Sequence, residues 1–411
     1  MDINNEEFWD GIFSKSEEEE TEDFINYLRK TAPAKRTGIV ELDRLLYGGF
    51  HNQTYSLCAG TSLGKSSLSQ FLLENIIFTE EKNNASKRTY ILYLCLEMPD
   101  TEMKARGTSA FSFKKHKENK NLKAYTFSEI LPDGEIYSDT IEDFVHINPE
   151  SYIPYAREYR ALTGKYIKYF APVDGEITFK GIKAAVKSFK KKHPNSNIII
   201  AVDYLQIITP DREDPLEKDE IGFLKAICRK LQALAIQEKV TVLYPTATTK
   251  TGSKEPTDSM SGNGSAYIGY SASCSFGLER VGINYPKATT QEMKEYIYNR
   301  EKQDGYRIMH LNFGKGRNND LTNGLFFRYY SAYNYWEIAS ESEVNELLKR
   351  IDDNNTSDNS DFLYVEANSV TRNPEYKQEE FDGFEPANEQ EVPFDVEKEQ
   401  QKPRFSAIRK V

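Results

Sequence analysis

Cysteine is scarce in this chain: Cys58, Cys95, Cys228 and Cys274 are spread over 411 residues, with no Cys-x-x-Cys pair. That spacing excludes a disulfide framework and a cysteine-based zinc site, and it fits a reducing compartment. Two of the four sit in apolar, strand-like runs, where a thiol serves as a small core side chain. No apolar run reaches the roughly 20 residues that a membrane-spanning helix needs, and no secretory leader is visible. Internal repeats are absent as well. The expectation is a soluble, cytoplasmic protein with no membrane partner.

Charge is plentiful but unevenly placed. The net charge is −11, yet residues 1–23 carry ten acidic side chains against one basic, and residues 352–400 carry fifteen against three. Residues 24–351 are left with a mild positive excess, which suits approach to a polyanion but is weak evidence alone. The first segment opens with the acidic run Glu17–Glu20, and Phe24, Ile25 and Leu28 then predict a short amphipathic helix. Residues 352–411, rich in Asn, Glu, Asp, Pro and Gln, read as a disordered, solvated tail. A docking tail anchored by Phe394 in Glu-Val-Pro-Phe-Asp is the alternative.

Between the ends, apolar runs alternate with helical patterns. Tyr90–Leu96 and Ile198–Val202 are continuous apolar runs of the kind found in buried parallel strands, and Val240–Tyr244 is a shorter one. Helical spacing at 68–77, 179–192 and 217–237 predicts the crossovers. Arg307–Phe313, Leu325–Tyr330 and Tyr333–Ile338 read as antiparallel strands. The fold class expected is α/β, a mostly parallel central sheet with an antiparallel C-terminal edge.

The stretch that carries chemistry is Ala59-Gly-Thr-Ser-Leu-Gly-Lys-Ser. It matches the phosphate-binding pattern G-x-x-x-x-G-K-[ST] except that Ala59 stands at the first glycine. A strand, Thr54–Cys58, precedes it, and Leu68, Phe71, Leu72 and Ile76 follow at helical spacing on one face. Backbone N–H groups of such a loop face a phosphate, and the following helix adds its positive end. Ser62, Leu63, Gly64, Lys65, Ser66 and Ser67 are therefore the expected nucleotide-binding residues. Lys65 reaches the β- and γ-phosphates, and the Ser66 hydroxyl ligates Mg²⁺. Asp203 ends the run Ile198-Ile-Ile-Ala-Val, at the strand tip where a carboxylate is placed to hold Mg²⁺. Glu97 ends Tyr90-Ile-Leu-Tyr-Leu-Cys-Leu in the same way and suits the water-activating role in ATP hydrolysis.

Taken in order, Ala59–Ser66, Leu94-Cys-Leu-Glu-Met-Pro, Val202-Asp-Tyr-Leu-Gln and Gly314-Lys-Gly-Arg-Asn-Asn resemble the successive motifs of the DnaB-type replicative helicases. Thr37-Gly-Ile-Val-Glu-Leu-Asp with Gly48-Gly49 resembles the lead-in segment of that family's motor domain. The resemblance covers about residues 35–340, and alanine at the Ala59 position is common in the family. It implies a RecA-like P-loop NTPase motor domain over residues 37–345, flanked by an acidic segment, 1–36, and the tail, 346–411. There is no room ahead of it for the family's helical N-terminal domain. It further implies a homo-hexameric ring that binds ATP between subunits, translocates on single-stranded DNA and meets primase or other replication proteins, here through the acidic ends. Arg317, with Lys315, matches the family's cations that reach the neighbouring subunit's γ-phosphate.

Two stretches depart from the family pattern. Pro245-Thr246-Ala247-Thr248 follows Val240–Tyr244 where the family carries a serine and a polar γ-phosphate sensor. Gly269 and Ser273 stand where acidic residues are expected. ATP binding tolerates both changes, whereas coupling of hydrolysis to DNA movement is the function they touch. An ATPase switch or loader without unwinding, and a nucleotide-binding scaffold, are the competing expectations. The Gly/Ser/Thr/Lys-rich stretch 246–266, with Lys250 and Lys254, fits a pore loop and a solvated linker equally. Lys187, Lys190, Lys191 and Lys192 read as the solvated face of a helix whose inner face is Ile182, Ala185, Val186 and Phe189.

Overall fold

The computed structural model describes residues 10, 13–29, 34–138, 143–172, 176–211, 220–247, 268, 271–284, 287–316 and 324–354. The chain divides into two compact units, Met1–Val370 and Thr371–Val411, and every described residue belongs to the first.

The centre of that unit is a nine-stranded sheet. The strands are β1 (Thr54–Ala59), β2 (Thr89–Cys95), β5 (Ile167–Phe170), β6 (Asn197–Asp203), β7 (Thr241–Ala247), β8 (Cys274–Arg280), β9 (Arg307–Gly316), β10 (Leu325–Tyr330) and β11 (Tyr335–Ile338). A separate two-stranded hairpin holds β3 (Ile136–Ser138) and β4 (Asp143–Val145). The order across the large sheet is β11-β10-β9-β8-β1-β7-β6-β2-β5. The six strands from β8 to β5 run parallel, and β9, β10 and β11 continue the sheet antiparallel. The expected mixed sheet is therefore present, antiparallel edge included.

Burial on both faces explains the continuous apolar strands. In β6 all seven residues are buried. Ile199 and Ala201 point to one face, where Leu68, Leu72 and Ile76 of helix Lys65–Lys82 and Met103 of helix Asp100–Glu118 pack. Ile198, Ile200 and Val202 point to the other, against Ile182 and Val186 of helix Phe179–Lys192 and Leu224, Ile227 and Leu231 of helix Glu220–Glu238. A third cluster joins helices Gln291–Asp304 and Glu341–Asn354 to Ile308 of β9 and Phe326 of β10. The lysine-rich face of helix Phe179–Lys192 is turned away from its buried Ile182 and Val186, and Lys190 Nζ donates to the Glu238 carboxylate at 2.8 Å.

Several expectations needed adjustment. β7 continues to Ala247, three residues past the apolar run. The expected strand Tyr333–Ile338 begins only at Tyr335, because a 3₁₀ turn at Ser331–Tyr333 and the left-handed Asn334 (φ 52°) first reverse the chain. Helices Asp100–Glu118, Ile153–Thr163, Gln291–Asp304 and Glu341–Asn354, together with β5 and β8, have no counterpart in the sequence-based expectations. The amphipathic helix near the N-terminus exists as Glu17–Arg29, with Glu17–Glu20 in its first turn, where the helix dipole favours acidic residues, and Phe24 and Leu28 exposed. Phe394 and all but three residues of the stretch 352–411 lie outside the described residues, as do Lys250, Lys254 and Gly269. Among the described residues no helix is long and apolar enough to cross a membrane.

Candidate nucleotide-binding site

β1 delivers the chain to the loop, and helix Lys65–Lys82 takes it away. The turn between them depends on left-handed backbone at Ser62 (φ 61°) and Gly64 (φ 89°). Gly64 has no substitute here, since an added Cβ would lie 2.8 Å from Trp336 Cζ2 and 3.0 Å from Tyr329 Cε1. As N-cap of the helix, Gly64 leaves the first-turn N–H groups without intrahelical acceptors, which makes an anion cradle. Ser62 is exposed on the loop, while Leu63 packs against the core cluster beneath it.

Lys65 folds back over this cradle. Its Nζ donates to the carbonyls of Ala59 at 3.1 Å and Gly60 at 3.0 Å. Burial lowers its pKa, and the carboxylates of Glu97 and Asp203 oppose that shift. Ser67 faces elsewhere: its hydroxyl donates to the Asn334 carbonyl at 3.2 Å and accepts from Trp336 Nε1 at 2.9 Å.

Asp203, 3 % exposed, sits at the end of β6 directly across from Cys95 of β2. The Tyr93 hydroxyl donates to its Oδ2 at 2.8 Å, whereas its buried Oδ1 has no hydrogen-bond partner among the described residues. Burial raises its pKa, against the pull of the Ser66 and Tyr93 hydroxyls and the charges of Arg106 and Lys65. Two residues past Cys95 stands Glu97, exposed at the strand tip, with the Leu96 N–H bonded to the Asp203 carbonyl at 2.8 Å. Partial shielding of the carboxyl and the nearby Asp203 raise the Glu97 pKa, and Lys65 and Arg106 counter them. The fold thus brings Lys65, Ser66, Glu97 and Asp203 together at the carboxyl ends of the parallel strands. Lys315 belongs to β9, two strands from β1, with its backbone opposite Ser275, and Arg317 lies outside the described residues.

Three features were not foreseen. Arg106, on helix Asp100–Glu118, acts electrostatically on Glu97 and Asp203. The one available signal was a cation two turns into the helix that follows the strand-end glutamate. Tyr329 and Trp336, stacked with centroids 4.0 Å apart, form the wall behind Gly64, and no local pattern announces a contact across about 270 positions. Thr246 at the altered sensor position is buried beside Cys58 of β1 and accepts a hydrogen bond from Gln206 Nε2 at 2.8 Å.

The donor set fits a magnesium ion that is shared with a nucleotide. A buried, unpartnered carboxylate oxygen on Asp203 with the Ser66 hydroxyl beside it is what such an ion requires, the remaining ligands coming from phosphate and water. No group of three or more His, Cys, Asp or Glu suited to a metal occurs among the described residues, so a dedicated all-protein cage is not what this site offers.

No family model matches the chain, and no curated protein matches it. Among solved structures it is similar to an isolated ATPase domain, with a TM-score of 0.56 and 14 % identity over 80 % of this chain and 100 % of that one. It is likewise similar to a DnaB-like replicative helicase whose structure was described with its interactions with primase, with a TM-score of 0.57, 16 % identity, and coverage of 82 % of this chain and 71 % of that one. At these identities the likeness establishes the fold: an α/β, RecA-like P-loop architecture shared with DnaB-like ATPase domains.

Proposed function

We propose that the chain is an ATP-hydrolysing motor of the DnaB-like kind that moves on single-stranded DNA during replication. The observation that carries this reading is the convergence of Lys65, Ser66, Glu97 and Asp203 around one anion cradle in a fold shared with DnaB-like ATPase domains.

In this reading the loop N–H groups and Lys65 hold the phosphates of ATP. Lys65 exchanges its two carbonyl partners for phosphate oxygens, a stronger, charge-assisted interaction that also relieves the cost of its burial. Ser66 and Asp203 hold Mg²⁺, which neutralises charge developing on the phosphates. Glu97, at the open tip of β2, orients the attacking water and accepts its proton. Lys315 and Arg317 supply cations to the neighbouring subunit's nucleotide in a homo-hexameric ring, which makes hydrolysis depend on assembly. Primase or another replication protein is the proposed partner of the acidic ends.

The test is direct. The wild-type chain is expected to hydrolyse ATP faster in the presence of single-stranded DNA and to separate a forked duplex. Mixing Arg317→Ala with Glu97→Ala subunits is expected to restore part of the activity that neither has alone. No recovery in any mixture would count against the shared site.

One observation favours a second reading. Thr246 replaces the family's polar sensor, and its hydroxyl is already engaged by Gln206. A DNA-binding ATPase that loads or remodels other proteins, without unwinding, is consistent with that. ATP turnover without strand separation on the forked duplex would select it.

A further inference from the structure

Arg106 differs from the other half-buried arginines of the fold. Arg280 pairs with Glu301, Arg300 with Glu343 and Arg328 with both Glu337 and Glu343. Arg106 has no carboxylate partner among the described residues. Its contacts are weak: one terminal nitrogen lies 3.7 Å from Met103 Sδ, and the guanidinium stands 5.8 Å from the Phe127 ring centroid. Its Nε is buried and without a hydrogen-bond partner.

The helix explains where this side chain lies. Helix Asp100–Glu118 starts three residues after Glu97. Its inner face is set by Met103, fully buried, and by Gly107, where an added Cβ would fall 2.1 Å from the Tyr159 hydroxyl. Arg106 rides on the flank of that face. From there its charge acts on Tyr93, Glu97, Asp203 and Tyr329, which surround the loop on three sides. A guanidinium stays charged in any protein environment. Leaving a buried donor of it unpaired costs about 1–3 kcal/mol, which an arriving acceptor recovers.

We propose that Arg106 is a positioning residue for Glu97: with nucleotide in the loop, its guanidinium holds the Glu97 carboxylate toward the attacking water. This cation is supplied by the same subunit as Glu97, in contrast to the proposed Lys315 and Arg317. The inference rests on the proposed ATPase function and specifies how its base is aligned. Met103 and Phe127 offer the guanidinium no competing carboxylate, so the partner exchange needs no broken ion pair.

The test separates positioning from binding and from folding. Arg106→Gln is expected to lower kcat for ATP about tenfold or more, as loss of an aligned base does, while KM and the affinity for a fluorescent ADP analogue stay within about threefold. Arg106→Lys, which keeps the charge without the planar fork, is expected to recover part of kcat. In a Glu97→Gln background, Arg106→Gln is expected to have less than about a twofold further effect, because it acts through the missing carboxylate. Multiplicative effects in that cycle, a change confined to KM, or full activity in Arg106→Gln would each overturn the proposal. Should Arg106→Gln fail to fold, a folded Arg106→Lys with wild-type kcat, KM and pH profile would overturn it equally. A wild-type chain inert toward ATP would sink the proposed function itself, and this inference with it.

Discussion

The parallel half of the sheet and its antiparallel edge hold similar numbers of half-buried charges and treat them in opposite ways. At the edge they are paired. Glu343 accepts from Arg300 at 2.7 Å and Arg328 at 2.8 Å, Glu337 takes Lys117 and Arg328, and Glu301 takes Arg280. At the tips of β1, β2 and β6, Lys65 rests on two carbonyls, Asp203 keeps one oxygen unpartnered, and Arg106 has no carboxylate among the described residues. Native folds rarely leave buried polar atoms unpaired. Where they do so in one place, beside a phosphate loop, the missing partners are best supplied by a ligand. The edge is built for stability, and the strand tips for exchange.

That contrast can be broken most forcefully at Lys65. Lys65→Ala is expected to abolish ATP turnover, a loss of at least about 10²–10³-fold for one electrostatic stabiliser. Thermal stability should hold or rise, because a buried ammonium is removed. Unchanged turnover would refute the site. At the edge the balance reverses: Glu343→Gln leaves Arg300 and Arg328 short of a charge partner and is expected to cost about 2–3 kcal/mol in a denaturant titration. Turnover per folded molecule should change little.

Two carboxylates sharpen the comparison through pH. Burial holds the Asp203 pKa above its ordinary 3.8, so its charged form costs stability at neutral pH, and the cost vanishes as pH falls below 3.8. Glu337 is opposite in sign: burial alone would raise its pKa, but Lys117, Tyr330 and Arg328 outweigh it and leave it below 4.5. Its contribution is present above 4.5 and lost as pH falls through the lowered value. Melting at pH 7 should therefore find Asp203→Asn more stable than wild type without nucleotide, and Glu337→Gln less stable, each by about 1 kcal/mol. Both differences should shrink toward zero in acid. Equal signs at pH 7 would mean the two regions are not the opposites described.

The smallest effect lies where the regions meet. Trp336→Phe keeps the stack on Tyr329 but removes the hydrogen bond to Ser67. The expected cost is about 1 kcal/mol, with a few-fold rise in KM for ATP as the loop loses its wall. A stability change with KM untouched would make the edge a bystander to the loop.

Much of the site was legible because its parts are local. The Gly64-Lys65-Ser66 run needs a left-handed glycine followed by a helix, and the apolar strands on either side supply both. Glu97 and Asp203 stand out as the first carboxylates after buried strands. Arg106 does not, since nothing in its helix marks one cation among several: Lys104, Lys114, Lys115 and Lys117 share the same segment. Only the inward turn of Met103 and Gly107 distinguishes it. The boundary at Tyr335 was missed because a 3₁₀ turn and a left-handed asparagine carry aromatic residues that look strand-like on paper.

By itself, the sequence determined the strand–loop–helix cradle, the two strand-end carboxylates, the mixed sheet and the amphipathic helices. All follow from short-range periodicity and backbone preference, which neighbours in sequence encode. Tertiary structure decided which polar atoms stay unpaired, which arginine reaches the site and which aromatic rings forbid a side chain at Gly64. Those depend on distances between segments up to about 270 positions apart, where burial and electrostatic interaction are set by packing rather than by the order of residues.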